Sequence, residues 1–326
     1  GEREGAKGFP RFTDPRLRGP DAYADYLRMA TERSLERIGA TPFDLLLLHK
    51  NPLREDYDYP KDRPKIAHVG QPIIMGLDIQ AVPASITLRE LMTAIYGATG
   101  SGKSYMTQVI AIGASQCKHV AFVVLDMKGE SGDLAALHSR AAVVVTDLDG
   151  VLTTLRWLFG ELARRQNLPG QVGKIVNFNS DLPEIIVFAD EWHEWAYADP
   201  TKEDAEERMR LLTRLVKRAR AYGIYFVAAT QIAHAKDIPT SITGQFGNVI
   251  SARLGRREHS EMVFSGQLPA GVGPHLINPA MRGVAYGRFG EGGEIGMMKA
   301  LKAGPHVAAK WMARDAKAGL RVELPS

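Results

Sequence analysis

Eight consecutive residues, Gly97-Ala98-Thr99-Gly100-Ser101-Gly102-Lys103-Ser104, satisfy the pattern G-x-x-x-x-G-K-[ST] at every position. Glycines in such a loop let the backbone curl so that successive N–H groups converge on phosphate oxygens. A helix beginning at Lys103 adds the positive end of its dipole. Lys103 is then placed for the β- and γ-phosphates of ATP, and the Ser104 hydroxyl for Mg²⁺. An apolar run, Leu91–Tyr96, leads straight into the loop, as a strand feeding a phosphate loop must. The spacing therefore predicts a nucleoside triphosphate site.

Hydrolysis needs two further groups, a carboxylate near the metal and a base for water. Glu184–Ala189 reads as a buried parallel strand that delivers Asp190 and Glu191 at its C-terminal edge, where α/β proteins bind ligands. Asp190 would join the Mg²⁺ shell, and Glu191 would polarise the attacking water. The bland alternative for the pair is an acidic cap on the next helix. Its position after a phosphate loop favours the catalytic reading, and the Asp-Glu order favours an ATP hydrolase over a kinase or a GTPase switch.

The remaining chain must hold these groups in place. It has 326 residues, 45% hydrophobic and 24% charged, with a net charge of +4. Those values are ordinary for a globular protein and exclude disordered, collagen-like and disulfide-stapled classes. A single cysteine, Cys117, permits no internal disulfide and fits a reducing, cytoplasmic setting. No apolar run approaches the roughly 20 residues of a membrane span. The first residue is Gly1, so a trimmed chain is expected, and any membrane anchor would sit in an absent upstream segment.

Residues 1–70 differ in texture. A helical pattern over 21–38 and a strand-like run over 43–48 ending at His49 form an appendage, and the Pro-containing, charged stretch 51–64 reads as a linker. From about residue 71 to 326, strands and helices alternate, which predicts an α/β fold around a mostly parallel sheet. Expected strands are 91–96, 119–126, 142–145, 184–189, 224–230 and 248–253; expected helices are 103–115, 149–165, 204–221 and 257–264. A β-rich part follows, 282–289 paired with 294–300. In the 204–221 helix, Met209, Leu212, Val216 and Ala219 form the expected buried stripe, closed by Gly223. Its basic end, Lys217, Arg218 and Arg220, reads as complementing the helix dipole rather than as a DNA contact.

The phosphate loop, Leu125-Asp126-Met127-Lys128-Gly129-Glu130, the pair Val145-Thr146-Asp147-Leu148 and Glu161-Leu162-Ala163-Arg164-Arg165-Gln166, and Arg218-Ala219-Arg220-Ala221-Tyr222-Gly223-Ile224 followed by Ala228-Ala229-Thr230-Gln231 share one feature. Together they resemble the motifs of the FtsK/SpoIIIE/HerA family of RecA-like motors, over about residues 72–300. The resemblance implies a RecA-like P-loop domain assembled as a homo-hexamer that moves double-stranded DNA through its channel. It implies Gln231 as the γ-phosphate sensor. It also implies Arg164 or Arg165 as a finger reaching a neighbour's nucleotide, with a solvated helix end as the alternative and Arg253 as a competitor.

Two departures stand out. Trp192 and Trp195 replace small residues and read as core filling or a subunit contact. The Arg256–Ser260 run differs from the cell-division branch and leans toward mobile-element transfer over chromosome partitioning. The alternatives are a type VII secretion-like export ATPase and an ATP-binding assembly subunit. Separately, residues 21–50 weakly resemble a fragment of an aldo-keto reductase barrel, without the partners His49 would need.

Overall fold

The computed structural model describes residues 52–89, 92–197, 201–231, 240–269, 271–290 and 292–318. The expected 21–38 helix, the 43–48 strand and His49, with the reductase likeness they carry, lie outside the described residues. Contacts divide the chain into residues 1–51 and 52–326.

Among the described residues, eleven strands form one sheet. In chain order they are β1 (Tyr57–Asp58), β2 (Ile73–Asp78), β3 (Pro83–Ile86), β4 (Met92–Tyr96), β5 (Val120–Leu125), β6 (Val143–Val145), β7 (Glu184–Ala189), β8 (Ile224–Thr230), β9 (Phe246–Ala252), β10 (Val284–Arg288) and β11 (Ile295–Lys302). The helices are α1 (Lys103–Ser115), α2 (Leu148–Gln166), α3 (Trp192–Tyr197), α4 (Lys202–Arg218), α5 (Thr240–Thr243), α6 (Arg257–Val263) and α7 (Pro305–Asp315). The sheet order is β3-β2-β11-β10-β9-β4-β8-β7-β5-β6, with β1 alongside β11. From β9 to β6 every neighbour is parallel, and β10, β11, β2 and β3 extend the sheet antiparallel.

The parallel strands read as unbroken apolar runs because both faces are covered. Ile185, Val187 and Ala189 of β7 face one core, shared with Leu155 and Leu162 of α2 and Leu215 of α4. Ile186 and Phe188 face the other, shared with Val109 and Ile110 of α1 and Met312 of α7. Trp192 and Trp195 are both buried in the first core, so within this chain they are core filling. On α4 the buried stripe is wider than expected: Leu211 and Leu215 join Leu212, Val216 and Ala219, while Met209 is only partly buried. That helix also begins two residues early, because the Thr201 hydroxyl accepts from the Asp204 N–H and caps it.

The stretch 52–64, expected as a linker, is part of the sheet-bearing body. Leu53 is buried, and Tyr57 of β1 pairs with Leu301 of β11. Arg63 grips Asp315 through both guanidinium ends, one at 2.7 Å, and stacks 4.3 Å above the Trp311 ring. Pro and charge mask these contacts in the sequence, since the partners lie some 250 positions away. Burial alone would push the Asp315 carboxyl up, but the Arg63 and Ser115 hydrogen bonds outweigh it and hold it below its ordinary value of 3.8. The stabilisation is complete above that ordinary value and is lost as pH falls through the lower folded one. Arg63→Ala leaves Asp315 buried without its cation, and a loss of about 3 kcal/mol is expected. Urea unfolding at neutral pH checks it, and a loss below 1 kcal/mol would show the strap to be ornamental.

Candidate nucleotide-binding site

The phosphate loop joins β4 to α1 at the C-terminal edge of the parallel strands. Its start is tied to its neighbours: the Gly97 N–H donates to the Thr230 carbonyl at 3.3 Å, and the Ala98 N–H to that of Arg253 at 2.9 Å. Gly102 is the residue this turn cannot replace. Its φ of 103° is left-handed, and a Cβ there would lie 2.8 Å from the Gly283 nitrogen. The Gly283 N–H in turn donates to the Ser101 carbonyl at 2.8 Å, so the loop rests on the backbone that enters β10.

Lys103 points into a buried acidic corner. Its Nζ lies 2.8 Å from Glu191 Oε1 and 3.6 Å from Asp190 Oδ1. Asp190 and Glu191 follow β7 directly, as the strand pattern requires. Glu191 adopts a left-handed φ of 42°, a conformation that costs a non-glycine residue on the order of 1–2 kcal/mol. Two contacts hold it there: Lys103 on Oε1, and the Gln231 N–H donating to Oε2 at 2.8 Å. The Thr99 hydroxyl donates to Gln231 Oε1 at 2.8 Å. Thr99, Gln231, Glu191 and Lys103 thus form a bonded chain that returns to the loop it starts from.

The two acids are driven apart. Burial raises the Asp190 carboxyl above its ordinary range, with Glu191 and Asp133 adding to the rise against Lys103 and Lys128. Burial pushes Glu191 up as well, but Lys103 and the Gln231 N–H outweigh it and hold it low. Adjacent carboxylates with opposed shifts are a common mark of divided roles.

A cleft of about 380 Å³ opens beside the loop, lined by Ala98, Thr99, Gly100, Gly102, Lys103, Ser104 and Gln231. Lys128, Asp133, Tyr105, Arg282 and Pro305 complete it, and sequence reasoning assigned none of these a role. Lys128, which sits 3.5 Å from Asp190 Oδ2, had a visible signal in its place just after β5. Arg282 and Asp133 had none.

The arginines sit elsewhere. Both end α2, near Pro183 and Tyr222, which precede β7 and β8 at the sheet edge opposite the cleft. Arg164 is exposed and pairs with Glu161. Arg165 is fully buried, donating to the carbonyls of Tyr222 and Pro183 at 2.7 Å each and to Glu161. Its guanidinium is spent on internal partners, so of the two only Arg164 faces outward. Arg253 follows β9 beside the phosphate loop.

The donor set suits a hard cation. Ser104 offers a hydroxyl and Asp190 a buried oxygen, Oδ2, that no hydrogen bond satisfies. Among the described residues no three or more His, Cys, Asp or Glu side chains are grouped to hold a metal, so a magnesium ion here would share its shell with nucleotide phosphate. No helix among the described residues is long and apolar enough to cross a membrane.

A phosphate loop after β4 at the C-terminal edge of this sheet, with an acidic pair at the end of β7 and β8 inserted between the two strands, defines a RecA-like P-loop ATPase fold. The FtsK/SpoIIIE family model matches residues 61–179, and the resemblance carried by the motifs holds. DNA translocase FtsK of Shewanella oneidensis is 26% identical over 227 residues, covering 56% of this chain and 24% of that protein. DNA translocase FtsK of Haemophilus influenzae is 27% identical over 224 residues, covering 56% of this chain and 41% of its own. The chain thus spans less than half the length of these curated relatives.

Among solved structures, the monomer form of the pCW3 conjugation coupling protein TcpA with ATPγS superposes with a TM-score of 0.58 at 19% identity, covering 78% of this chain and 73% of its own. The cytoplasmic domain of the Thermomonospora curvata type VII secretion ATPase EccC gives 0.61 at 19% identity, covering 85% and 35%. At such identities these two likenesses establish the fold.

Proposed function

We propose that this chain is the motor part of an ATP hydrolase that moves double-stranded DNA through an oligomeric ring, in DNA transfer by conjugation or a mobile element, or in chromosome partitioning. The observation that carries the enzymatic half is the bonded chain Thr99–Gln231–Glu191–Lys103, which links the phosphate loop, the acid and the sensor position. On nucleotide entry, Lys103 would leave Glu191 for the β- and γ-phosphate oxygens. Freed of its cation, Glu191 would gain basicity where it must orient and deprotonate water. Gln231, bonded to both Glu191 and the phosphate loop, would report the γ-phosphate to β8. Ser104 and Asp190 would hold Mg²⁺, whose charge neutralises the phosphate oxygens in transfer.

The DNA half is supported by the relatives named DNA translocase and by the conjugation coupling protein among the structural neighbours. Residues 52–326 would be the motor body, working in the cytoplasm as a homo-hexamer with nucleotide between subunits. Arg164, exposed at the opposite edge from its own cleft, is the finger candidate that geometry favours over Arg165. A protein-export reading shares the fold but has no relative among the sequence matches described above.

Phosphate contacts dominate non-specific DNA binding and weaken steeply with salt. Steady-state ATPase rates are therefore expected to rise several-fold with long linear double-stranded DNA at low salt, and to lose that rise at a few hundred millimolar. An active enzyme indifferent to DNA at both salts would overturn the DNA assignment and turn attention to a peptide partner.

A further inference from the structure

The loop between β5 and β6 places an acid in the cleft that neither the phosphate-loop pattern nor the strand-end pair accounts for. It is organised by Asp126, a fully buried carboxylate at the end of β5. Asp126 Oδ1 accepts the Lys128 N–H at 3.2 Å, and Oδ2 faces His138 Nε2 at 3.1 Å. The chain then passes so close to this carboxylate that a Cβ on Gly132 would stand 2.3 Å from Oδ1. Glycine at 132 is thus a condition of the wrap. The next residue is Asp133, whose carbonyl is pinned by the buried Gln108 side chain of α1 at 3.3 Å. A loop held at Asp126, Gly132 and Gln108 has little freedom in where it puts the Asp133 carboxylate.

It puts it on Ser104, whose hydroxyl donates to Asp133 Oδ2. A serine hydroxyl has one proton and two acceptor sites. With its proton given to a carboxylate, only lone pairs remain, which is the form a hard cation needs. Asp190, the acid that the strand pattern assigns to the metal, makes no hydrogen bond to Ser104; Lys103 stands 3.6 Å from its Oδ1 and Lys128 3.5 Å from its Oδ2, which no hydrogen bond satisfies. The two acids therefore differ in what they can do: one orients the hydroxyl, and the other keeps a buried oxygen, Oδ2, without a hydrogen bond beside the Lys128 ammonium.

We propose that Asp133 is a positioning residue of the magnesium site, holding the Ser104 proton so that the hydroxyl oxygen is presented to the metal. The proposal rests on the nucleotide-site reading and adds to it a residue from a different loop. Partners that orient a ligand in this way typically change metal affinity by roughly 10- to 100-fold.

The test measures binding of a fluorescent, slowly hydrolysed ATP analogue in Mg²⁺ and again in EDTA, for wild type, Asp133→Ala, Asp133→Asn and Lys103→Ala. The quantity read is the gain in affinity that Mg²⁺ confers. In Asp133→Ala this gain is expected to fall roughly 10- to 100-fold while affinity in EDTA stays within about twofold of wild type. Asp133→Asn keeps an acceptor oxygen and is expected to recover part of the gain. An unchanged gain in Asp133→Ala, an equal loss in EDTA, or Asn no better than Ala would each overturn the positioning role. Lys103→Ala binding the analogue as tightly as wild type would instead overturn the nucleotide site itself.

Discussion

Lys103→Ala is expected to lower ATP turnover by about 10²–10³-fold or more, the scale of removing one preorganised charge from a developing phosphate anion. Lys103 is the cation of the phosphate loop, and its ammonium is buried between two carboxylates. The substitution therefore has a second consequence, visible without nucleotide. Among the described residues, Glu191 and Asp190 stay buried with Lys128 as the remaining cation beside them, 3.5 Å from Asp190. In the wild type Glu191 is held below its ordinary value of 4.5, so its share of the stability is present above that value and lost as pH falls through the folded one. Without Lys103 burial dominates and the carboxyl rises. The variant should then be less stable than wild type at neutral pH, and the gap should narrow on acidification. Turnover assays and thermal melts at pH 7 and pH 5 check both parts. Wild-type turnover would remove Lys103 from the site, and a gap that widens in acid would contradict the ion-pair account.

Glu191→Gln should separate binding from chemistry. The amide is nearly the same size and keeps an oxygen for the Gln231 N–H, but it cannot take a proton from water. Loss of a general base typically costs 10²–10⁴-fold, so turnover is expected to fall by about that factor while nucleotide remains bound. The strained φ of 42° at this position argues for the same role, because such conformations persist where the surroundings over-determine them and cluster at functional sites. Single-turnover hydrolysis with labelled ATP, alongside a filter-retention assay, distinguishes the outcomes. Undiminished turnover would exclude Glu191 as base, and loss of retention would make it a binding residue.

Much of the parallel half of the fold was legible because its signals are local. Lys103–Ser115, Glu184–Ala189 and Ile224–Thr230 have the boundaries expected of them, each set by a sharp change from apolar run to charge, glycine or phosphate loop. Strands β2 and β3 were missed. β3 is four residues long with one buried, β2 has its pairing to β3 shifted between Ile74 and Gly76, and antiparallel pairing with one another and with β11 leaves only a weak pattern along the chain. Helix α7 also escaped, although its buried Ala308, Trp311 and Met312 stand at helical spacing; its last buried position is the charged Asp315, whose partner Arg63 lies far away in the chain. The body's extension back to residue 52 followed from the same contacts.

The sequence by itself determined where the candidate groups at the strand ends stand. Lys103 and Ser104 open a helix, and Asp190 and Glu191 are the first two residues past a strand end, so local periodicity fixes where they must lie. Tertiary structure alone decided the rest. It buried Arg165 while leaving Arg164 outside, a choice made by the carbonyls of Pro183 and Tyr222 and invisible in two adjacent identical residues. It also brought Lys128, Asp133 and Arg282 to one cleft from loops whose paths are set by Asp126, Gln108 and Gly283. A repeating element carries its geometry in its period. A loop takes its geometry from whatever it packs against, and that partner can lie anywhere in the chain.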